Sequence, residues 1–230
     1  MTLRVLLTRA ADDNAPLAAS LRAEGVEVVE VPTVARVVRP DALERARSTC
    51  ADPDVLLFTS HTAVEALGPA KASPIRPRRV AAVGPRTRAA AEAAGWTVSS
   101  GGEQGLTGAA LVAALGEIRG RDVLWPRPAD ATPGTRDALS AAGACVHDVV
   151  AYENREPPGL REALAAAPAV DIVILAAPSA AQRVGRFLRG ALPEALALGP
   201  TTAAAAREMG FSPVTTVAVD HLVQAIRSRR

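Results

Sequence analysis

Asp54-Val-Leu-Leu-Phe-Thr-Ser-His-Thr-Ala-Val-Glu-Ala-Leu67 and Asp171-Ile-Val-Ile-Leu-Ala-Ala-Pro-Ser-Ala-Ala-Gln-Arg-Val184 are the same sentence written twice. Each opens with an acid and a four-residue run of branched or large apolar residues. Each then turns through small or hydroxyl-bearing residues into a helical pattern. A short apolar run bounded by turn chemistry and followed by a helix reads as one strand-to-helix step of a parallel sheet. The repetition extends outward. VAAVGPRTRAAAEAAGWTV from Val80 answers ALALGPTTAAAAREMGFSPV from Ala195, and Gly84, Thr87 and Gly95 match Gly199, Thr202 and Gly210 at a constant offset of 115. VLLTRAADDNAPLAASLRAEGVEVVEVP near the start answers DVLWPRPADATPGTRDALSAAGACVHDVV, with Arg9 and Gly25 matching Arg127 and Gly143 at an offset of 118. Solenoid units repeat every ~20–50 residues, so a period of this length is a duplicated domain.

Inside each copy the order is β-α-β followed by further β-α steps. Apolar runs at 5–8, 26–31, 55–58 and 80–83 read as strands of the first copy. Helices are expected over 16–24, from Thr62, over 87–94 and over 107–115. Gly25 and Gly95 close two of them as C-terminal caps. The second copy repeats this with strands at 123–125, 146–150, 172–175, 197–198 and 214–219, and with helices to Gly143, from Ser179, over 202–209 and over 221–229. The fold class is α/β, two similar parallel-sheet lobes. Taken naively, the copies divide the chain at 118/119. The stretches 36–52 and 153–168 separate the halves of each copy. The repeats alone leave open whether the first half of copy one packs with its own second half or with that of copy two.

Composition narrows the function classes. Hydrophobic residues make up 49% of the 230 residues and aromatic ones 3%, so the cores rest on Ala, Val and Leu. A net charge of +2 gives no basic footprint for nucleic acid. Lys71 is the single lysine and sits in a loop pattern, which leaves Schiff-base chemistry without a good candidate. Cys50 and Cys145 have no ligand or disulfide spacing, and His61, His147 and His221 are not spaced as metal ligands. Neither a G-x-G-x-x-G nor a G-x-x-x-x-G-K-[ST] run occurs, and Gly101-Gly102-Glu103-Gln104-Gly105 reads as a connection. The start reaches charge too soon for a signal peptide, and no run approaches the ~20 apolar residues of a membrane span. A cytoplasmic protein with no metal, no cofactor, no nucleic-acid partner and no membrane partner is expected.

In open parallel sheets ligands gather where strands end and helices begin. Four such turns stand out: Thr59-Ser60-His61-Thr62, Gly84-Pro85-Arg86-Thr87, Ala177-Pro178-Ser179 and Gly199-Pro200-Thr201-Thr202. Proline suits a first helical turn, where its missing N–H has no intrahelical partner. The hydroxyls are read either as plain helix caps or as part of an anion site built from helix N-termini. A carboxylate is the anion such a site holds without Lys or Arg. Tyr152, the one tyrosine, follows a strand and offers a phenol as proton donor.

LLTRA near the start, LLFTSHTAVEAL, AAVGPRTRAAAEAAG, GACVHDVVAYENR and LALGPTTAAAAREMG, in this order along essentially the whole chain, resemble the uroporphyrinogen-III synthase family. The resemblance implies two α/β lobes joined by a two-segment linker, with the chain crossing over: residues 1–35 and 152–230 in one lobe, 36–151 in the other. It implies a monomer acting on hydroxymethylbilane, a linear tetrapyrrole, with at most a transient encounter with the deaminase that precedes it. The reaction implied loses water, inverts the last pyrrole ring and closes the macrocycle, in the hydro-lyase class. Ser60 then matches the family's FTS serine, Thr87 its VG-x-x-T threonine and Tyr152 its candidate proton donor. Pro178, Ser179, Gly199, Thr201 and Thr202 match positions of the other lobe, and Thr59, His61, Thr62 and Gly84 complete the turns. Arg9 and Arg127 are the paired cations. Two departures stand out: Ala177 replaces the second copy's serine, and Thr132 stands where the family commonly has a basic residue. A cytosolic two-lobed sensor that binds a small anion or a tetrapyrrole without catalysis is the alternative reading.

Overall fold

A computed structural model describes residues 2–103 and 107–229. Gln104 and Gly105 of the glycine-rich connection lie outside the described residues. In chain order the elements are β1 (Arg4–Leu7), α1 (Ala11–Ala23), β2 (Glu27–Glu30), β3 (Ala35–Val38), α2 (Ala42–Thr49), β4 (Val55–Phe58), α3 (His61–Leu67), β5 (Arg79–Ala82), α4 (Gly84–Ala93), β6 (Val98–Gly101) and α5 (Gly108–Ala114). They continue as β7 (Asp122–Pro128), α6 (Pro133–Ala141), β8 (Cys145–Arg155), α7 (Leu160–Ala166), β9 (Ile172–Leu175), α8 (Pro178–Phe187), β10 (Glu194–Ala197), α9 (Pro200–Glu208), β11 (Val214–Thr216) and α10 (Leu222–Arg227).

The strands form two sheets, ordered β11-β10-β9-β1-β2 and β3-β8-β7-β4-β5-β6. The chain divides accordingly into one unit of Met1–Ala35 with Arg155–Arg230 and a second of Arg36–Asn154. The naive tandem division at 118/119 is therefore wrong. β1 pairs with β9, Val5 beside Ile172 and Leu7 beside Ile174, while β4 pairs with β7, Val55 beside Val123. Written in matching order, the sheets are β11-β10-β9-β1-β2 and β6-β5-β4-β7-β8, with β3 added at the edge of the second. Each unit thus joins the first half of one copy to the second half of the other. The two halves present equivalent faces in both copies, so either partner completes a sheet of the same order. The chain leaves the first unit at Ala35 and returns at Arg155, three residues later than the sequence suggested, which puts Tyr152 in the second unit.

The stretches 36–52 and 153–168 are not featureless. They carry β3 and α2, and the end of β8 with α7. Each sheet is covered on both faces, which is why central strands such as β1, β4 and β9 carry apolar runs without alternation. In the second unit Leu56, Phe58, Leu124 and Val149 face one core, with Val64, Leu67 and Trp96. Val55, Leu57, Val123 and Trp125 face the other, with Leu111, Ile118 and Leu139. In the first unit Leu6, Val173, Leu175 and Ala195 face one core, and Val5, Leu7, Ile172, Ile174 and Leu196 the other.

Candidate functional site

Strand order reverses once in each sheet. In the first unit β1 leads to β2 on one side, while β9, β10 and β11 run outward on the other. In the second β4, β5 and β6 run one way and β7, β8 the other. The switch points, between β1 and β9 and between β4 and β7, are where an open parallel sheet leaves a crevice for a ligand. The residues that follow β1, β4, β7 and β9 include Arg9, Thr59-Ser60-His61-Thr62 and Ala177-Pro178-Ser179, with Arg127 near the end of β7.

The helices begin earlier than the sequence patterns suggested. α4 starts at Gly84, α8 at Pro178 and α9 at Pro200, with Val83, Ala177 and Gly199 as N-caps that give no side-chain hydrogen bond. Gly84 has φ +63°, a conformation suited to glycine. The plain cap reading holds at one of the four turns: Ser60 Oγ accepts from the Thr62 N–H at 3.1 Å. At the other three, a proline occupies the first turn and the leading amides receive no bond from the cap residue.

Thr87 and Thr202, matched between the copies, lie inside α4 and α9 instead of capping them. Their residues are 6% and 3% exposed, and their hydroxyls make no hydrogen bond among the described residues. The buried side-chain atoms without a partner among the described residues are Arg4 Nε and Asn14 Oδ1, so neither threonine oxygen is sealed and each stays open to an acceptor from outside. Thr201 and Ser179, beside the helix starts, are exposed.

The cations are more engaged than their sequence positions suggest. Arg127 donates through Nε to Asp148 and through Nη1 to the carbonyl oxygens of Pro128 at 3.0 Å and Ala129 at 3.4 Å. Arg136 of α6 also bonds Asp148. Asp148 is mostly buried, so Arg127 is matched within its own unit before any ligand comes. In the first unit Arg9 Nη2 lies 3.8 Å from Asp13 Oδ2. Asn14, fully buried, donates to the Arg9 carbonyl at 3.0 Å, and its own Oδ1 has no partner among the described residues.

Tyr152 is 5% exposed and packs in the core that holds Phe58 and Val149. It stands level with Pro128, the end of β7, after a register shift between Arg127 and Pro128. That shift inserts Ala151 as an extra residue, so alternation breaks and Tyr152 joins the face of Val149 and Ala151. His61 is half-buried, and Thr62 is buried at the first turn of α3.

Three residues of this edge escaped the sequence reading. Thr8 Oγ1 donates to the Ile174 carbonyl across the first switch point at 2.5 Å, and Thr33 Oγ1 donates to the Thr8 carbonyl at 2.9 Å. Trp125 Nε1 donates to Thr59 Oγ1 across the second at 3.0 Å. Strand-end position was the one available signal. Neither Asp148 nor Arg136 carried a motif.

Residues 15–224 match the family model described as uroporphyrinogen-III synthase HemD. The uroporphyrinogen-III synthase of Synechococcus elongatus is 32% identical over 165 residues, 66% of this chain. The match spans 61% of that relative's length. Among solved structures, the uroporphyrinogen-III synthetase of Helicobacter pylori superposes with a TM-score of 0.65 at 20% identity, covering 100% of both chains. A mutant uroporphyrinogen III synthase from Thermus thermophilus gives 0.60 at 20% identity, covering 99% of this chain and 97% of that one. At that identity the two structures speak to the fold, a pair of α/β lobes, and the family match speaks to descent. The chain belongs to the uroporphyrinogen-III synthase family.

Proposed function

We propose that the chain converts hydroxymethylbilane to uroporphyrinogen III and water, a cyclising hydro-lyase step of tetrapyrrole synthesis. The family match over residues 15–224 carries this reading. The chemistry suits a chain poor in catalytic groups. The pyrrole next to the hydroxymethyl group pushes its electron pair toward the carbon, the C–O bond breaks, and the departing oxygen takes a proton to leave as water. The resulting azafulvenium carbon is attacked first by the substituted carbon of the last ring, giving a spiro centre. That carbon's original bond to its methylene then breaks to release a second azafulvenium, and the ring's unsubstituted carbon attacks it, so the ring is inverted as the macrocycle closes. A pyrrole carbon then gives up a proton and aromaticity returns, so the balance is loss of one water.

Tyr152 is the group we assign to proton delivery, with its phenol at the carboxyl end of the second sheet. The remaining task is to fold the substrate so that the inverted closure wins, and positioning of this kind is worth up to ~7–11 kcal/mol. The substrate carries eight carboxylates. Thr87 with the start of α4, Thr202 and Thr201 with the start of α9, and Ser179 with the start of α8 supply donors for them. Thr59, Ser60, His61 and Thr62 add a further group, with Gly84, Pro178 and Gly199 shaping the turns. Arg9 and Arg127 add positive potential. We assign no cofactor, a monomeric state, and a cytoplasmic site of action, where the unpaired thiols of Cys50 and Cys145 stay reduced.

Residues 1–35 with 152–230, and 36–151, are proposed as the two functional lobes, a division that the break at Asn154/Arg155 supports to within three residues. The test is to incubate the protein with hydroxymethylbilane and resolve the oxidised products. Conversion to the type III isomer supports the reading. Recovery of the uninverted isomer alone, at the rate of a protein-free control, would end it.

A further inference from the structure

The ladder between β4 and β7 stops early. Leu56 lies beside Leu124, and no pair follows, although β4 continues to Phe58 and β7 to Pro128. Pro126, two residues on, has no N–H to give, so the two strands part at the switch point. A side-chain bond spans the parting. Trp125 is 3% exposed, and its indole Nε1 donates to Thr59 Oγ1 at 3.0 Å.

This bond fixes what the Thr59 hydroxyl can do. An indole N–H is a donor only, whereas a threonine hydroxyl has one proton and two lone pairs. Thr59 therefore accepts from Trp125 and keeps its own proton for another acceptor, and none takes it among the described residues. The start of α5 passes close to the Thr59 methyl. A Cβ at Gly108, the first residue of α5, would come within 3.3 Å of Thr59 Cγ2 and would overlap Thr135 Oγ1. Thr59 is half-buried, so its hydroxyl proton is not sealed from a ligand.

The duplication provides an internal control. The equivalents of Trp125 and Thr59 in the first unit are Leu7 and Ala176, since β1 corresponds to β7 and β9 to β4. That crevice is closed by Thr8 reaching the Ile174 backbone at 2.5 Å. The fold thus completes a switch point without an indole or an acceptor hydroxyl, and the Trp125–Thr59 pair is not something the architecture demands.

We propose that Trp125 is a positioning residue that holds the parted strands together and makes the Thr59 hydroxyl a dedicated donor to a substrate carboxylate. This rests on the hydroxymethylbilane reading above. The experiment uses the full chain with Trp125→Phe, Thr59→Val, Thr59→Ser and the double variant, each assayed with hydroxymethylbilane. A second readout is the ultraviolet resonance Raman difference spectrum between the parent and Thr59→Val. Thr59→Val and Trp125→Phe should each raise KM roughly two- to tenfold with kcat little changed, the range of one net hydrogen bond. Thr59→Ser should stay near the parent. The double variant should be no worse than Thr59→Val, because both remove one interaction. The difference spectrum should show loss of a hydrogen-bonded indole N–H.

Additive losses in the double variant would assign Trp125 to packing alone and overturn the proposal. So would parental KM in Thr59→Val, or an unchanged indole N–H band. If Trp125→Phe fails to fold, Thr59→Val and the spectrum decide. A parent that leaves hydroxymethylbilane unconverted removes the functional reading itself, whereas an active parent with an indifferent Thr59→Val removes only this inference.

Discussion

Tyr152 and Ser60 reach the carboxyl edge of the second sheet by different routes, one through a register shift in β8 and one as the cap of α3. The difference separates their expected roles. Replacing Tyr152 with Phe keeps its place in the core and removes the proton. Turnover should fall toward the low end of the ~10²–10⁴-fold range of general acid catalysis, or less, because the pyrrole already drives departure of the hydroxyl. Ser60→Ala should do less, costing about 1 kcal/mol of stability from the lost cap. Single-turnover rates for both, with thermal unfolding alongside, check this. A Tyr152→Phe variant as fast as the parent, beside an inactive Ser60→Ala, would reassign the proton. The two cysteines give an independent check on the placements. Cys145 is exposed, whereas burial pushes the Cys50 thiol up and holds back its thiolate. At pH 8 iodoacetamide should modify Cys145 well before Cys50, as read by peptide mass spectrometry. The opposite order would mean that Cys50 is more accessible than described.

At the level of elements, the sequence carried the order of the main strands and helices well, missed β3, α2, β6 and α7, and placed boundaries less well. Short, fully apolar runs bounded by turn residues, such as Val-Leu-Leu-Phe and Ile-Val-Ile-Leu, read as strands buried on both faces, and glycines at 25, 95, 143 and 210 marked helix ends. Helix starts were harder to read, because Gly-Pro and Ala-Pro look like turns until the proline is seen to occupy the first helical position. That moved Thr87 and Thr202 from expected caps to buried side chains within helices. The strand expected at 146–150, with Tyr152 after it, runs on to Arg155 and includes Tyr152. One extra residue at Ala151 shifts the phase, and no local pattern announces it. Cross-strand partners such as Asp148 for Arg127 were out of reach, since they depend on which strands become neighbours. β6 offers a test of element packing. Gly101 has φ +83°, and a Cβ there would overlap the Ala82 carbonyl oxygen and lie 2.7 Å from Leu111 Cδ1. Gly101→Ala should cost about 1–3 kcal/mol or more through backbone strain and overpacking. Urea unfolding measures it, and a cost near zero would contradict the close approach of β6 to β5.

The whole molecule is a duplication in which the copies have exchanged halves. The repeats announced the duplication, but not the exchange, because equivalent halves can pair either way. The sheet register decides it, with Val5–Leu7 beside Ile172–Ile174. A fragment of residues 36–154 contains a complete six-stranded sheet and should fold alone. A fragment of residues 1–118 holds β1 and β2 without β9, and β4 without β7, and should not. Circular dichroism with cooperative thermal unfolding distinguishes them, and a cooperative 1–118 fragment would favour the tandem pairing. Membership of the family and the poverty of catalytic groups support the proposed role, in which the protein steers a reaction its substrate nearly performs unaided. The most direct measurement is the isomer composition of uroporphyrinogen formed from hydroxymethylbilane as protein concentration rises. The type III fraction should climb from near zero in the protein-free control toward completeness, and do so less steeply for Thr87→Val and Thr202→Val. A fraction that stays at the control value at every protein concentration would contradict the account.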